Sequence, residues 1–198
     1  MRIHRRRRRH ETGFSLVELM VVTVVLGMVV LVVSSVLMTS SKAESKTVRR
    51  AKVQGDTRQA MFLMTTEIRQ AGADPANPPI GLVGLAAGDD RSIHIRADLN
   101  GNGVLETAEP SEDITYAWDS TAKVITRNPG SGAAVVDTNV TAMQFTYFDN
   151  TGAPVVPTPL SAVDASRVVS IGLSMTALDK DSQPVTLTAR IALRNIIQ

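Results

Sequence analysis

The 198-residue chain contains no cysteine. Disulfide staples, thiolate metal sites and thiol nucleophiles are therefore excluded. Histidine is nearly as scarce. Of three, His4 and His10 lie among the first ten residues, leaving His94 alone in the remainder. A serine–histidine hydrolase would rest entirely on that side chain, which sits in a strand-like stretch, so the chain reads as a non-enzyme. Aromatic residues make up only 4% of the sequence, and no aromatic or basic stripe of the kind that tracks single-stranded nucleic acid is present. The formal net charge of +2 also misleads, because six of the 21 basic residues are Arg2 and Arg5 through Arg9. Beyond residue 13, 15 basic residues face 18 acidic ones, a net charge of −3. The basicity belongs to a leader, and no nucleic-acid partner is indicated.

Charge is missing from one long run as well. From Phe14 to Met38 there are 25 residues, mostly Val, Leu and Met, and Glu18 is the only ionisable side chain. A bilayer-spanning helix needs about 20 residues. The valines favour strand in water, but an isolated strand in lipid cannot satisfy its backbone, so helix is expected. The preceding arginines predict a cytoplasmic N-terminus and an exported C-terminal bulk. A secretory signal peptide fits poorly, since the run is long and no A-x-A-like cleavage site follows it. Glu18 is costly inside an apolar helix. If the chain were cut after Gly13, the new amino group of Phe14 would lie at similar depth to Glu18 of a neighbouring subunit, and the pair would reward assembly and set register. An interfacial Glu18 reaching headgroup water is the other reading that these residues leave open.

Gly13-Phe14-Ser15-Leu16-Val17-Glu18, behind a short basic leader and ahead of an unbroken apolar helix, resembles the class III signal of type IV prepilins and type II secretion pseudopilins. The resemblance implies cleavage after Gly13 by a membrane prepilin peptidase and N-methylation of Phe14. It also implies that Glu18 serves filament assembly. The implied partners are that peptidase, other major and minor pilins met through the N-terminal helix, and an inner-membrane assembly platform. The implied location is the inner membrane, single-pass with a periplasmic C-terminal domain, and then a pilus at the cell surface.

Residues 39–72 contain few helix breakers, and Val48, Ala51, Phe62, Ile68 and Ala71 recur at near-helical spacing. Gly72, followed by Pro75, Pro78 and Pro79, predicts the stop. The long helix is thus expected over 14–72, transmembrane over 14–38, with a leader at 1–13; two helices joined near Ser40-Ser41 is the alternative. In place of the proline that many pilins carry near mature position 22 stands Ser35, so any bend falls to Gly27 or Ser34-Ser35.

Residues 73–198 alternate like strands. Candidate strands are Arg91–Ala97, Ile114–Trp118, Lys123–Arg127 and Val140–Phe148, with a closing hairpin of Val169–Ala177 and Val185–Leu193. The expected class is α+β, pilin-like: a long N-terminal helix packed against one C-terminal antiparallel β-sheet. Glu67-Ile68-Arg69-Gln70-Ala71-Gly72, the late hairpin and Leu193-Arg194-Asn195 resemble the PilW group of minor pilins and, less closely, the pseudopilin J of type II secretion. That implies an initiating or tip-associated subunit of a type IV pilus, or else a secretion pseudopilin aiding export. A membrane-anchored, calcium-stabilised binding module is a third reading.

Asp98 to Glu109 matches D-x-[DN]-x-[DN]-G-x5-E at every constrained position. Asp98, Asn100 and Asn102 would bring hard oxygens to one point, Gly103 would allow the sharp turn, and Val104 would offer its carbonyl. Glu106 would bind directly or through water, and Glu109 would close the shell with two oxygens. The stretch resembles an EF-hand-type calcium loop without its flanking helices, and implies a structural calcium ion. An Asn-Gly-rich surface turn is the competing reading.

Overall fold

The structure is a computed structural model, and it describes residues 15–76, 78–107, 111–156, 158–178 and 183–193. The leader, the Gly13-Phe14 junction, Glu109 and the tail from Arg194 lie outside the described residues. The chain divides into two compact units, residues 1–47 and 48–198.

One helix, α1, runs over Leu16–Gln70 through Gly27, Ser34-Ser35, Ser40-Ser41 and Gly55 without interruption, so the two-helix alternative fails. Its part in the first unit is exposed almost throughout, and its most apolar 18-residue window has a mean hydropathy of 2.9 with none of it buried. Hydroxyls in its apolar part turn back on their own helix: Thr23 donates to Met20 O at 2.9 Å, and Ser35 to Val32 O at 2.8 Å. Such back-bonding satisfies these hydroxyl donors within the helix, as a lipid setting requires.

In the second unit, α1 buries Thr57, Ala60, Met61, Met64 and Ile68, a stripe with helical spacing that Ala71 continues. The expected face needs correction: Val48 is 62% exposed and Phe62 73%. They are large and apolar, but their angular positions lie off the 57–61–64–68 line, and position outweighs residue type. Gly72 ends the helix with φ of 81°, where a left-handed residue without Cβ is favoured. Its N–H donates at 2.8 Å to Arg96 O, and a Cβ on Gly84 would collide with its backbone.

Strands β1 (Leu85–Gly88), β2 (Ser92–Arg96), β3 (Asp113–Asp119), β4 (Val124–Asn128) and β5 (Ala134–Thr138) form an antiparallel sheet in chain order. Strand β6 (Val140–Phe148), helix α2 (Ala162–Arg167), and strands β7 (Ser170–Leu178) and β8 (Pro184–Ala192) complete the domain, with β6-β7-β8 a second sheet. The single sheet expected from sequence is therefore two. The break falls at Asn139, whose φ of 62° turns the chain between β5 and β6. Sheet alternation sets the core: Ile93 pairs with Tyr116 and Ile95 with Ile114, all buried. In the second sheet Phe145 pairs with Leu173, and Leu173 with Ala189, on one inward face. These faces and the α1 stripe make one hydrophobic cluster. Each large side chain fully buried there contributes about 1.5–3 kcal/mol.

Candidate functional site

Glu18 sits in the first turn of α1, exposed and without an ion-pair partner among the described residues. The helix macrodipole favours a carboxylate there, and that turn also leaves backbone N–H groups without helical partners. Gly13 and Phe14, the proposed cleavage junction, lie outside the described residues. A carboxylate flanked by apolar side chains is costly in lipid without a cationic partner or access to headgroup water.

At residues 98–106 the side chains that the sequence pattern selects are engaged in hydrogen bonds within the loop. Asp98 has no exposure at all. Its Oδ1 accepts from Gly101 N–H at 2.6 Å and its Oδ2 from Gly103 N–H at 2.9 Å. Both glycines have positive φ, 74° and 76°, which explains their place in a loop that folds back on one carboxylate. Asn100 Oδ1 accepts from Asn102 N–H at 2.9 Å, and Asn102 Oδ1 from Val104 N–H at 2.7 Å. The amide nitrogens of Asn100 and Asn102 donate to the two oxygens of Glu106, at 3.0 and 2.5 Å. Glu109 lies outside the described residues, while Val104 is exposed and Leu105 half-buried.

Sequence reasoning missed Glu112. It is only 1% exposed, and its carboxylate accepts from the N–H groups of Leu99 at 2.6 Å, Asn100 at 3.2 Å and Glu106 at 3.1 Å. Burial opposes its charge, yet the bonds from Glu106, Leu99 and Asn100 hold the carboxyl below its ordinary value. Two buried carboxylates, Asp98 and Glu112, thus clamp the loop through backbone N–H groups. The signal lay in a glutamate immediately before a strand, three residues past the end of the twelve-residue template. Among the described residues no group of three or more His, Asp or Glu is arranged to hold a metal ion.

A second polar cluster fixes α1 to the first sheet. Glu67 accepts from Tyr116 Oη at 2.5 Å and pairs with Arg127 Nη2 at 2.9 Å, both charged side chains being 14% exposed. Burial and the Glu67 carboxylate push the Tyr116 hydroxyl far above its usual pKa, so it stays a donor. In the same stretch Ile68 and Ala71 are buried and Gly72 makes the exit turn, which gives Glu67-Ile68-Arg69-Gln70-Ala71-Gly72 a structural meaning. His94 bonds to Asp113 across β2 and β3, half-buried, as a cross-strand pair.

No curated protein matches the chain. Residues 8–34 match the prokaryotic N-terminal methylation motif, a stretch that contains Arg8, Arg9, Gly13-Phe14 and Glu18. Residues 46–193, most of the chain, match the family described as prepilin peptidase-dependent protein B. That family is a structural, non-catalytic one, and its name ties it to prepilin peptidase. With a match that runs from the second half of α1 through the last strand, this chain belongs to the prepilin peptidase-dependent protein B family.

Proposed function

We propose that the chain is a minor pilin, stored in the inner membrane by residues 14–38, cut after Gly13, methylated on Phe14, and built into a type IV pilus through α1. One observation carries this reading: the methylation motif over residues 8–34 joins the end of a basic stretch to a Gly-Phe junction and to the one carboxylate on an exposed apolar helix segment. The arginines orient the N-terminus toward the cytoplasm, and the β domain faces the periplasm and later the surface. Glu18 pairs with the Phe14 amine of an adjoining pilin, where the low dielectric strengthens the attraction. The resemblance to the PilW group favours an initiating or tip position. Purified surface filaments, with mass spectrometry of the subunit N-terminus, test the reading. It expects an N-methylated Phe14; mature protein retaining Arg5–Arg9 overturns it. Glu18→Ala should insert normally and be depleted from filaments. If the chain is absent from filaments yet processed and required for hydrolase export, the secretion pseudopilin reading replaces it.

Calcium forms part of the same proposal. Asp98, Asn100, Asn102, the Val104 carbonyl, Glu106 and Glu109 would hold the ion, which would order the loop and stabilise the domain by linkage. Binding requires Glu106 to release the two asparagine amides so that their oxygens turn inward. Titration of the detergent-solubilised chain with Ca²⁺ and Mg²⁺, with melts in chelator, decides it. A melt insensitive to calcium, and no binding heat, leave the loop as a hydrogen-bonded turn.

A further inference from the structure

An open groove of about 360 Å³ runs between α1 and β8, lined on the helix side by Arg58, Met61, Phe62, Thr65 and Arg69. On the other side it is lined by every residue from Leu187 to Ile191. Successive strand residues point to opposite faces. A groove touching five in a row therefore follows the edge of β8 and not one face of its sheet. The five span about 13 Å at ~3.3 Å per residue, and Arg58 to Arg69 spans about 16 Å at ~1.5 Å per residue. Helix and strand edge run alongside one another for the length of the groove.

The two edges of this sheet differ. The free side of β6 is covered, since Phe145 N–H donates to Asp90 O at 3.0 Å and Tyr147 O accepts from Val155 N–H at 2.8 Å. Beyond its ladder with β7, β8 has no such backbone partner among the described residues. Its only proline is at the first position, and nothing in its interior blunts the edge by bulge or lysine. The groove also has a charge of one sign. Arg58 and Arg69 are exposed and have no acidic partner among the described residues. Arg190, by contrast, is held, stacked 4.0 Å from the Phe148 ring centre and bonded to Ser170 at 3.2 Å. Between the two free arginines on that side Phe62 stands 73% exposed, a large apolar surface with nothing over it.

We propose that this groove accepts an extended acidic segment of a partner protein, added as a strand to β8. Its backbone continues the ladder, an apolar side chain packs on Phe62, and carboxylates about four to five residues apart meet Arg58 and Arg69. This surface lies outside the N-terminal half of α1, and it holds whichever machine the subunit serves.

The test is photo-crosslinking from full-length chain in the membranes of producing cells, with a benzophenone side chain placed at position 62 or at position 188. Both positions should give adducts to one stretch of one partner, mapped by mass spectrometry, carrying two Asp or Glu at that spacing. R58E/R69E should lower the adduct yield about tenfold, R58Q/R69Q less, and R58K/R69K about twofold at most. The domain melt, read by Trp118 emission, should stay unchanged in each. Adducts that map to lipid, to an apolar helix or to a second copy of this chain overturn the proposal. So do yields unaffected by R58E/R69E, different stretches captured from the two positions, or no adduct from either.

Discussion

In the apolar half of α1, Val21 and Val29 are more than half exposed and Thr23, Ser35 and Thr39 bond back to the turn before them. In the β domain, Ile68, Tyr116 and Ile171 have no exposure and polar side chains bond across elements far apart in sequence, as Glu67 does to Arg127. The first region is self-sufficient in hydrogen bonds and dependent on its surroundings for burial. The second is self-sufficient in burial and dependent on specific partners for its few interior charges. Substitutions should therefore act on different observables: in the first, on insertion and assembly; in the second, on folding.

The largest test is Glu67→Ala, which takes the Glu67 carboxylate from the largely buried Arg127 guanidinium and removes the acceptor of Tyr116. Breaking a buried pair by removing one partner costs about 3–5 kcal/mol. Urea unfolding of the detergent-solubilised chain, followed by its single tryptophan, Trp118, should show it, while membrane insertion stays normal. Next comes a matched pair. Ile68→Ala, in the core, should cost about 2–4 kcal/mol. Val29→Ala, on the bare helix, should leave the same transition within about 0.5 kcal/mol. Equal effects from the two would erase the distinction between the regions.

Smaller effects sharpen it through pH. The folded pKa of Glu112 is lowered, so its contribution is fully present above its ordinary value of 4.5 and is lost as pH falls through the lowered folded value. Glu112→Gln should cost about 1–2 kcal/mol at neutral pH and flatten that acid limb in the melts. Asp137 has the opposite sign. Burial raises its pKa, with the Asp56 charge adding to the rise, although the Thr138 N–H and the Thr57 hydroxyl oppose the shift. Its charge costs stability above the raised folded pKa, and that cost fades as pH falls through it toward 3.8. Asp137→Asn should stabilise the domain by about 1 kcal/mol at pH 7, with the gain shrinking in acid.

How much of this was legible in the sequence varies by element. The strands β6, β7 and β8 emerge within a residue of their ends, because Met143, Phe145 and Tyr147, and their partners in β7, alternate with polar neighbours. β1 was not legible: Leu85-Ala86-Ala87-Gly88 has no β-branched residue and becomes a strand only by pairing with β2. β5 was missed because Val135 is exposed and Asp137 buried, the reverse of the usual pattern. The docking stripe of α1 was misjudged for a similar reason, since it uses Thr57, Met61 and Met64 while the conspicuous Val48 and Phe62 stay outside. In the loop, spacing identified Asp98, Asn100, Asn102 and Glu106 as neighbours. It did not identify Glu112, whose role depends on strand β3 returning beneath the loop.

The exit of α1 carries a mechanical consequence. Gly72 and Gly84 touch backbone to backbone, Gly72 N–H is tied to Arg96 O, and Asp98 N–H donates to Ala73 O at 2.7 Å. Side chains can swing to absorb displacement, but abutting main chains cannot. A pull along the last turns of the helix is therefore handed to β2 and the loop beyond it with almost no slack. The clamp made by Asp98 and Glu112 stands directly on that load path, so whatever tightens or loosens it also sets how stiffly the sheet follows the last turns of the helix.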